Sequence, residues 1–213
     1  MPSAFRSPIF AAALPNWSLS SSTPSKLPAV AELVTDMHID LQAARAITYE
    51  TSRICDHENN NLRVLEWKEV DAKEKKARKK KSRELKRLNS MLTPLSKYYA
   101  SEMCCRVADR TIQVLGGSGY VNEHPVEMMY RDNRLNPIHE GTTGIQSLDL
   151  VGRKLGMRAG GVVTELLDEC DAFADDAAAL EGMKTFADSV HEAVATARAA
   201  TEHLVATAHG GAS

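Results

Sequence analysis

Glu140 is the carboxylate of this chain with the clearest chemical setting. It lies in His139-Glu140-Gly141-Thr142-Thr143-Gly144-Ile145-Gln146, a turn that follows Pro137 and runs into the apolar positions Ile145, Leu148 and Val151. Thr143 and Gln146 have capping-box spacing, which predicts a helix N-terminus there, with Glu140 just ahead of it and Gly141 leaving open space. A carboxylate so placed can act as a general base. The helix terminus favours its ionised form, whereas an apolar cavity would raise its pKa and suit it to proton abstraction near neutral pH. The same spacing also suits a glutamate that merely starts a helix. Two other chemistries fail on spacing. His139-Glu140 begins like the zinc motif H-E-x-x-H, but Thr143 stands where the second histidine belongs, so no metal site is expected. Gly117-Ser118-Gly119 is no dinucleotide fingerprint, since its third glycine would fall at Asn122 and no strand precedes it.

A second stretch, Gln113-Val114-Leu115-Gly116-Gly117-Ser118-Gly119-Tyr120, ends a helical pattern that runs through Val107 and Ile112. Three glycines in four positions allow close approach of the backbone to another surface. Pro125 suits the first turn of a new helix carrying Val126 and Met129, which Pro137 ends.

These two stretches, with Pro125-Val126-Glu127 and Tyr130-Arg131-Asp132 between them, resemble the C-terminal helical domain of acyl-CoA dehydrogenases. The tail, Ser147 to Leu155, resembles the long bacterial-type branch that includes the 3-methylmercaptopropionyl-CoA dehydrogenases and carries an extra C-terminal helical region. The likeness covers Leu85–Leu155 well and Val30–Asp56 more loosely. It implies that Glu140 is the base that removes the α-proton of an acyl-CoA thioester while a hydride leaves the β-carbon for FAD. Gly141 then lies against the thioester, and Thr142, Thr143 and Gly144 touch FAD. Gln113, Val114, Leu115, Gly116 and Gly117 would reach the FAD of a neighbouring subunit, so a homo-oligomer, dimer or tetramer, is implied. An electron-transfer flavoprotein is the implied acceptor. His139 stands where better-known members have tyrosine, a trait of the long branch.

The elements that must position these residues are helical. The chain has 213 residues, 43% of them hydrophobic, with a net charge of −2 and only 5% aromatics, which is enough for one buried core built from Ala- and Leu-rich helices. No apolar run approaches a membrane span. Four cysteines without a C-x-x-C pair fit a reduced compartment, cytoplasm or mitochondrial matrix. Residues 1–28, rich in Ser, Pro and Ala, read as disordered, either a transit peptide or a misplaced gene start. Val30, Leu33, Val34, Met37, Leu41, Ala44 and Ile47 predict a helix from about Ala29 to His57, closed by Asn59-Asn60-Asn61. Residues 62–90 form a basic insertion read as a solvated helix or loop face, and it lacks the aromatics of a single-strand binder, so no nucleic-acid partner is assigned. Leu85, Leu88, Leu92, Leu95, Tyr99, Met103 and Val107 predict a further helix, kinked or started by Pro94. Cys104 and Cys105 read as packing residues. Beyond a hinge at Gly160-Gly161, helices are predicted over 162–180 and 183–208, broken at Gly182.

The sequence therefore predicts an all-α protein, an up-and-down bundle of about four helices over 29–157 plus a C-terminal helical hairpin over 158–213. The expected function is FAD-dependent dehydrogenation of an acyl-CoA, by a chain lacking the family's N-terminal and middle domains. Two alternatives stand beside it: a catalytically inactive oligomerisation module, and a basic helical anion-binding protein.

Overall fold

The computed structural model describes residues 27–210, and within them the chain is all helical. The expectation of disorder over residues 1–28 falls almost wholly outside the described residues. Two long helices dominate: α1 (Pro28–Trp67) and α2 (Ala72–Leu115). A 3-10 turn (Gly116–Tyr120) leads to two short helices, α3 (Val126–Asn133) and α4 (Thr143–Asp149), the latter running into a π turn (Leu150–Lys154). The C-terminal hairpin is α5 (Gly161–Ala178) and α6 (Lys184–Gly210). The expected four helices plus hairpin are thus present, but two are long and two are barely two turns each.

α1 and α2 persist because no glycine occurs between Pro28 and Leu115. At 1.5 Å per residue each is about 60–65 Å long. They pack antiparallel over Ala44, Ile54, Leu92, Met103 and Ala108. Polar bonds tie the pair along its length. Arg110 pairs with the buried Asp40 at 3.0 Å and with Asp36 at 3.2 Å, Asn89 donates to Glu58 at 3.4 Å, and Arg78 donates to Asn61 at 3.3 Å.

That pairing corrects the expected end of the first helix. Asn59-Asn60-Asn61 does not end the first helix. The Asn61 amide instead donates to the His57 carbonyl at 2.8 Å, and its oxygen accepts from Arg78 across the hairpin. An asparagine costs a helix less than about 0.7 kcal/mol, which long-range packing outweighs. The basic stretch takes the helical one of its two expected forms, a helix rather than a loop face. Residues 62–90 are the end of α1, a turn, and the start of α2, where the Asp71 carboxylate caps by accepting from Glu74 N–H at 2.7 Å. Pro94 starts no helix; it lies buried inside α2.

The C-terminal hairpin docks through one cluster, in which Met91 of α2 meets Leu155, Val162 and Val163, with Val205 of α6 against them. Its far end closes over Ala174, Ala177 and Ala187, beside an edge-to-face pair of Phe173 and Phe186 at 6.2 Å. No described helix is long and apolar enough to cross a membrane.

Candidate active site

Glu140 sits in the loop between α3 and α4, and the backbone there is unusual. Glu140 has φ +51 and Gly141 φ +95, so two successive residues adopt left-handed conformations. For glutamate this costs about 1–2 kcal/mol, which the surrounding bonds must hold in place. A Cβ at Gly141 would fall 2.5 Å from Gln146 Nε2, the movable end of a long side chain, so its φ rather than lack of space favours glycine there.

The bonds that hold the loop come from both of its ends. His139 N–H donates to the Leu135 carbonyl at 2.9 Å, and Thr143 N–H reaches back to the Pro137 carbonyl at 3.1 Å, closing a ring of backbone around Glu140. The Gln146 amide donates to the carbonyl of Glu140 itself at 3.4 Å. α2 then pins the loop from outside. The Thr143 hydroxyl donates to Glu102 Oε1 at 2.5 Å, Lys97 Nζ donates to the Asn136 carbonyl, and the Cys105 thiol donates to the Asn133 carbonyl at 3.3 Å. Burial pushes the Cys105 thiol pKa up, with Arg134 opposing, and burial also raises Cys104. Both are neutral thiols suited to packing and donation rather than nucleophilic attack.

The helix start differs from the capping-box expectation by one residue. Thr142 is the N-cap of α4, its hydroxyl accepting from Ile145 N–H at 3.3 Å. Thr143 is instead turned toward Glu102, and Gln146 toward Glu140. Both side chains of the expected box therefore brace the loop rather than the helix.

The carboxylate of Glu140 is exposed, as is His139 beside it, and Gly144 is exposed on the first turn of α4. Large apolar side chains near Glu140 in the chain are open to solvent. Ile138, Ile145 and Leu148 are 57%, 55% and 69% exposed. Such a surface is suited to being covered.

The second stretch lies elsewhere. Gln113, exposed, and the half-buried Val114 and Leu115 form the last turn of α2, and Gly116 follows at φ +60. Gly119 is structural, because a Cβ there would sit 3.1 Å from the Ile112 backbone. Gly116 and Gly117 meet nothing within 4 Å. At Gly117, with φ outside the left-handed region, nothing in its own fold requires the missing side chain. An open backbone of that kind suits a ligand or second chain lying close. Eleven residues of helix separate Glu102 from Gln113, about 16 Å along the axis. The two glycine-bearing stretches thus stand apart along α2.

Lys97, Glu102, Cys105 and Gln146 did not stand out in the sequence as site residues. The available signal was the pair Lys97 and Glu102, charged positions interrupting the Leu95, Tyr99, Met103 stripe.

Residues 20–156 match the family profile described as acyl-CoA dehydrogenase, C-terminal domain. The chain is 38% identical to 3-methylmercaptopropionyl-CoA dehydrogenase from Ruegeria pomeroyi, over 59% of this chain and 21% of that protein. It is 31% identical to the caffeyl-CoA reductase-Etf complex subunit CarC from Acetobacterium woodii, over 60% of this chain and 26% of that protein. It is 30% identical to the mitochondrial short-chain specific acyl-CoA dehydrogenase of Sus scrofa, over 62% of this chain and 25% of that protein. The chain thus matches about a fifth to a quarter of the length of these relatives.

Proposed function

This chain belongs to the acyl-CoA dehydrogenase family, matching its C-terminal domain, and on that premise we propose that it supplies the catalytic base for α,β-dehydrogenation of an acyl-CoA thioester. The observation that carries this is the conformation of Glu140. Its left-handed backbone is braced from α2 and α4, while its carboxylate is left open beside a glycine whose φ of +95 disfavours any side chain. A costly conformation maintained around a free carboxylate supports a functional role over that of a glutamate that merely starts a helix.

In this mechanism the Glu140 carboxylate takes the α-proton of the thioester. Gly141 lets the thioester approach the backbone, and the Glu140 N–H is the donor for the developing enolate oxygen. Ile138, Ile145 and Leu148 form part of the apolar surface that excludes water once covered, which favours proton transfer to a carboxylate. The family is FAD-dependent in general, and the flavin, when bound, accepts the β-hydride. Thr142, Thr143 and Gly144 would hold that flavin through the first turn of α4. Gln113–Gly117 would contact the flavin of a second subunit, which the distance between the two stretches favours. An electron-transfer flavoprotein is the proposed acceptor, in keeping with a relative named as part of an Etf complex.

The test is the visible spectrum of the purified 213-residue chain after incubation with FAD and gel filtration. A retained flavin band that bleaches on adding an acyl-CoA supports the proposal. A retained band that no acyl-CoA bleaches contradicts it.

A further inference from the structure

The charge of this chain is unevenly distributed. Residues 73–87 contain ten Lys or Arg against two acids, in a protein whose net charge is −2. All fifteen lie in the first part of α2, where Ser82 is buried and Arg78 is turned toward Asn61 of α1. Lys80, Arg83 and Arg87 lie on another face. They line a cleft of about 520 Å³ whose remaining walls are Glu84, Arg158 and Glu165. A cleft of that volume is within the range of small-molecule sites.

The two carboxylates are already engaged. Glu165 accepts from Arg158 at 2.6 Å, and Glu84 faces Lys80 at 3.9 Å. Arg83 donates only to its own helix, at the Lys79 carbonyl, and Arg87 has no ion pair among the described residues. Two guanidinium groups four residues apart on one helix repel each other, and an anion between them would relieve that. Arg158 reaches the cleft from a turn in which Arg158, Ala159 and Gly160 are all left-handed, at φ 55, 54 and 86. That is a strained conformation for two non-glycine residues, and it sets a third guanidinium on the cleft wall.

We propose that this cleft binds the phosphate or diphosphate group of a small soluble molecule, with Arg83 and Arg87 on one side and Arg158 on the other. The planar, multi-donor guanidinium matches phosphate oxygens in paired fashion, which the lysines elsewhere on α2 do not. An extended polyanion fits less well. Glu169 lies just beyond the cleft, where it would meet a duplex or a bilayer but not a small anion held inside, and no aromatic side chain is interleaved with the cations. The cleft lies about 22 Å along α2 from Glu102, so the inference goes beyond the dehydrogenase proposal and does not depend on it.

Calorimetric titration of the 213-residue chain with pyrophosphate in 50 mM NaCl tests it. Saturable binding at one site per chain is expected. The double variant Arg83→Ala/Arg87→Ala is expected to weaken it about tenfold or more, while Lys73→Ala/Lys76→Ala, which removes the same charge outside the cleft, changes it by less than about twofold. Circular dichroism of both variants checks that the helices are intact. Absence of binding, or equal losses in the two variants, would overturn the proposal. So would duplex DNA or phosphatidylserine vesicles binding through Lys73 and Lys76 as much as through Arg83 and Arg87, which would assign the whole basic face to a polyanion.

Discussion

The Thr143 hydroxyl donates to the Glu102 carboxylate at 2.5 Å, joining residues 41 apart in the chain. Through this bond the start of α4 is fixed to the middle of α2, and the position of Glu140 depends on a helix that contains none of the proposed active-site turn. Glu102 is therefore assigned as a positioning residue.

Glu102→Ala is expected to lower stability by about 1–2 kcal/mol in urea unfolding, because a charge-assisted hydrogen bond is lost. In the flavin-loaded protein it should reduce the rate of acyl-CoA-dependent bleaching more than it changes flavin retention. Glu102→Gln keeps an acceptor oxygen and should restore most of the rate. A purely structural role would show as a stability loss with an unchanged rate.

The turn itself gives opposite expectations at adjacent positions. Gly141→Ala places a Cβ at φ +95 and against Gln146, and should destabilise the protein by about 1–3 kcal/mol. Glu140→Asn removes the carboxylate but tolerates the left-handed conformation better, so it should be neutral or stabilising by up to about 1 kcal/mol. Chemical denaturation of the two variants side by side checks both signs.

Docking of the C-terminal hairpin depends on Met91, which is 1% exposed and packs against Leu155, Val162 and Val163. Met91→Ala should cost about 2–5 kcal/mol. It should also expose the 156–161 connection to limited proteolysis before the α1–α2 hairpin is cut.

Across the hairpin, Asp171 is hydrogen-bonded to His191 at 3.0 Å and to Arg198 at 3.2 Å. The bond to His191 is the chief cause that holds the Asp171 carboxyl below its ordinary value of 3.8. A depressed folded-state pKa contributes stability that is fully present above the unfolded value and is lost as pH falls through the folded one. The pairing of α5 and α6 should therefore lose this contribution only below about pH 4. Asp171→Asn should flatten the acid limb of thermal stability measured between pH 2.5 and 5, and an unchanged acid limb would remove Asp171 from the account.

Much of this was legible in the sequence because helices announce themselves locally. The apolar spacing from Val30 to Ile47 and from Leu85 to Val107, and the glycines at 116, 160 and 182, mark segments whose period and breaks need no tertiary information. The errors arose where distant residues decide. Asn59-Asn60-Asn61 reads as a stop until Arg78 is seen across the hairpin. At the site, Glu140 and Gly141 could be singled out by type and order. The bracing by Lys97, Glu102 and Cys105 could not, because those side chains lie 28 to 41 residues from the groups they hold.

The most direct test of the central claim is flavin reduction by an acyl-CoA in stopped flow, comparing flavin-loaded wild-type protein with Glu140→Gln, which keeps the shape of the side chain and removes the base. The expected result is a rate lowered by about 10²–10⁴ with the flavin still bound. Bleaching at the wild-type rate in the variant would contradict the assignment of Glu140 as the base.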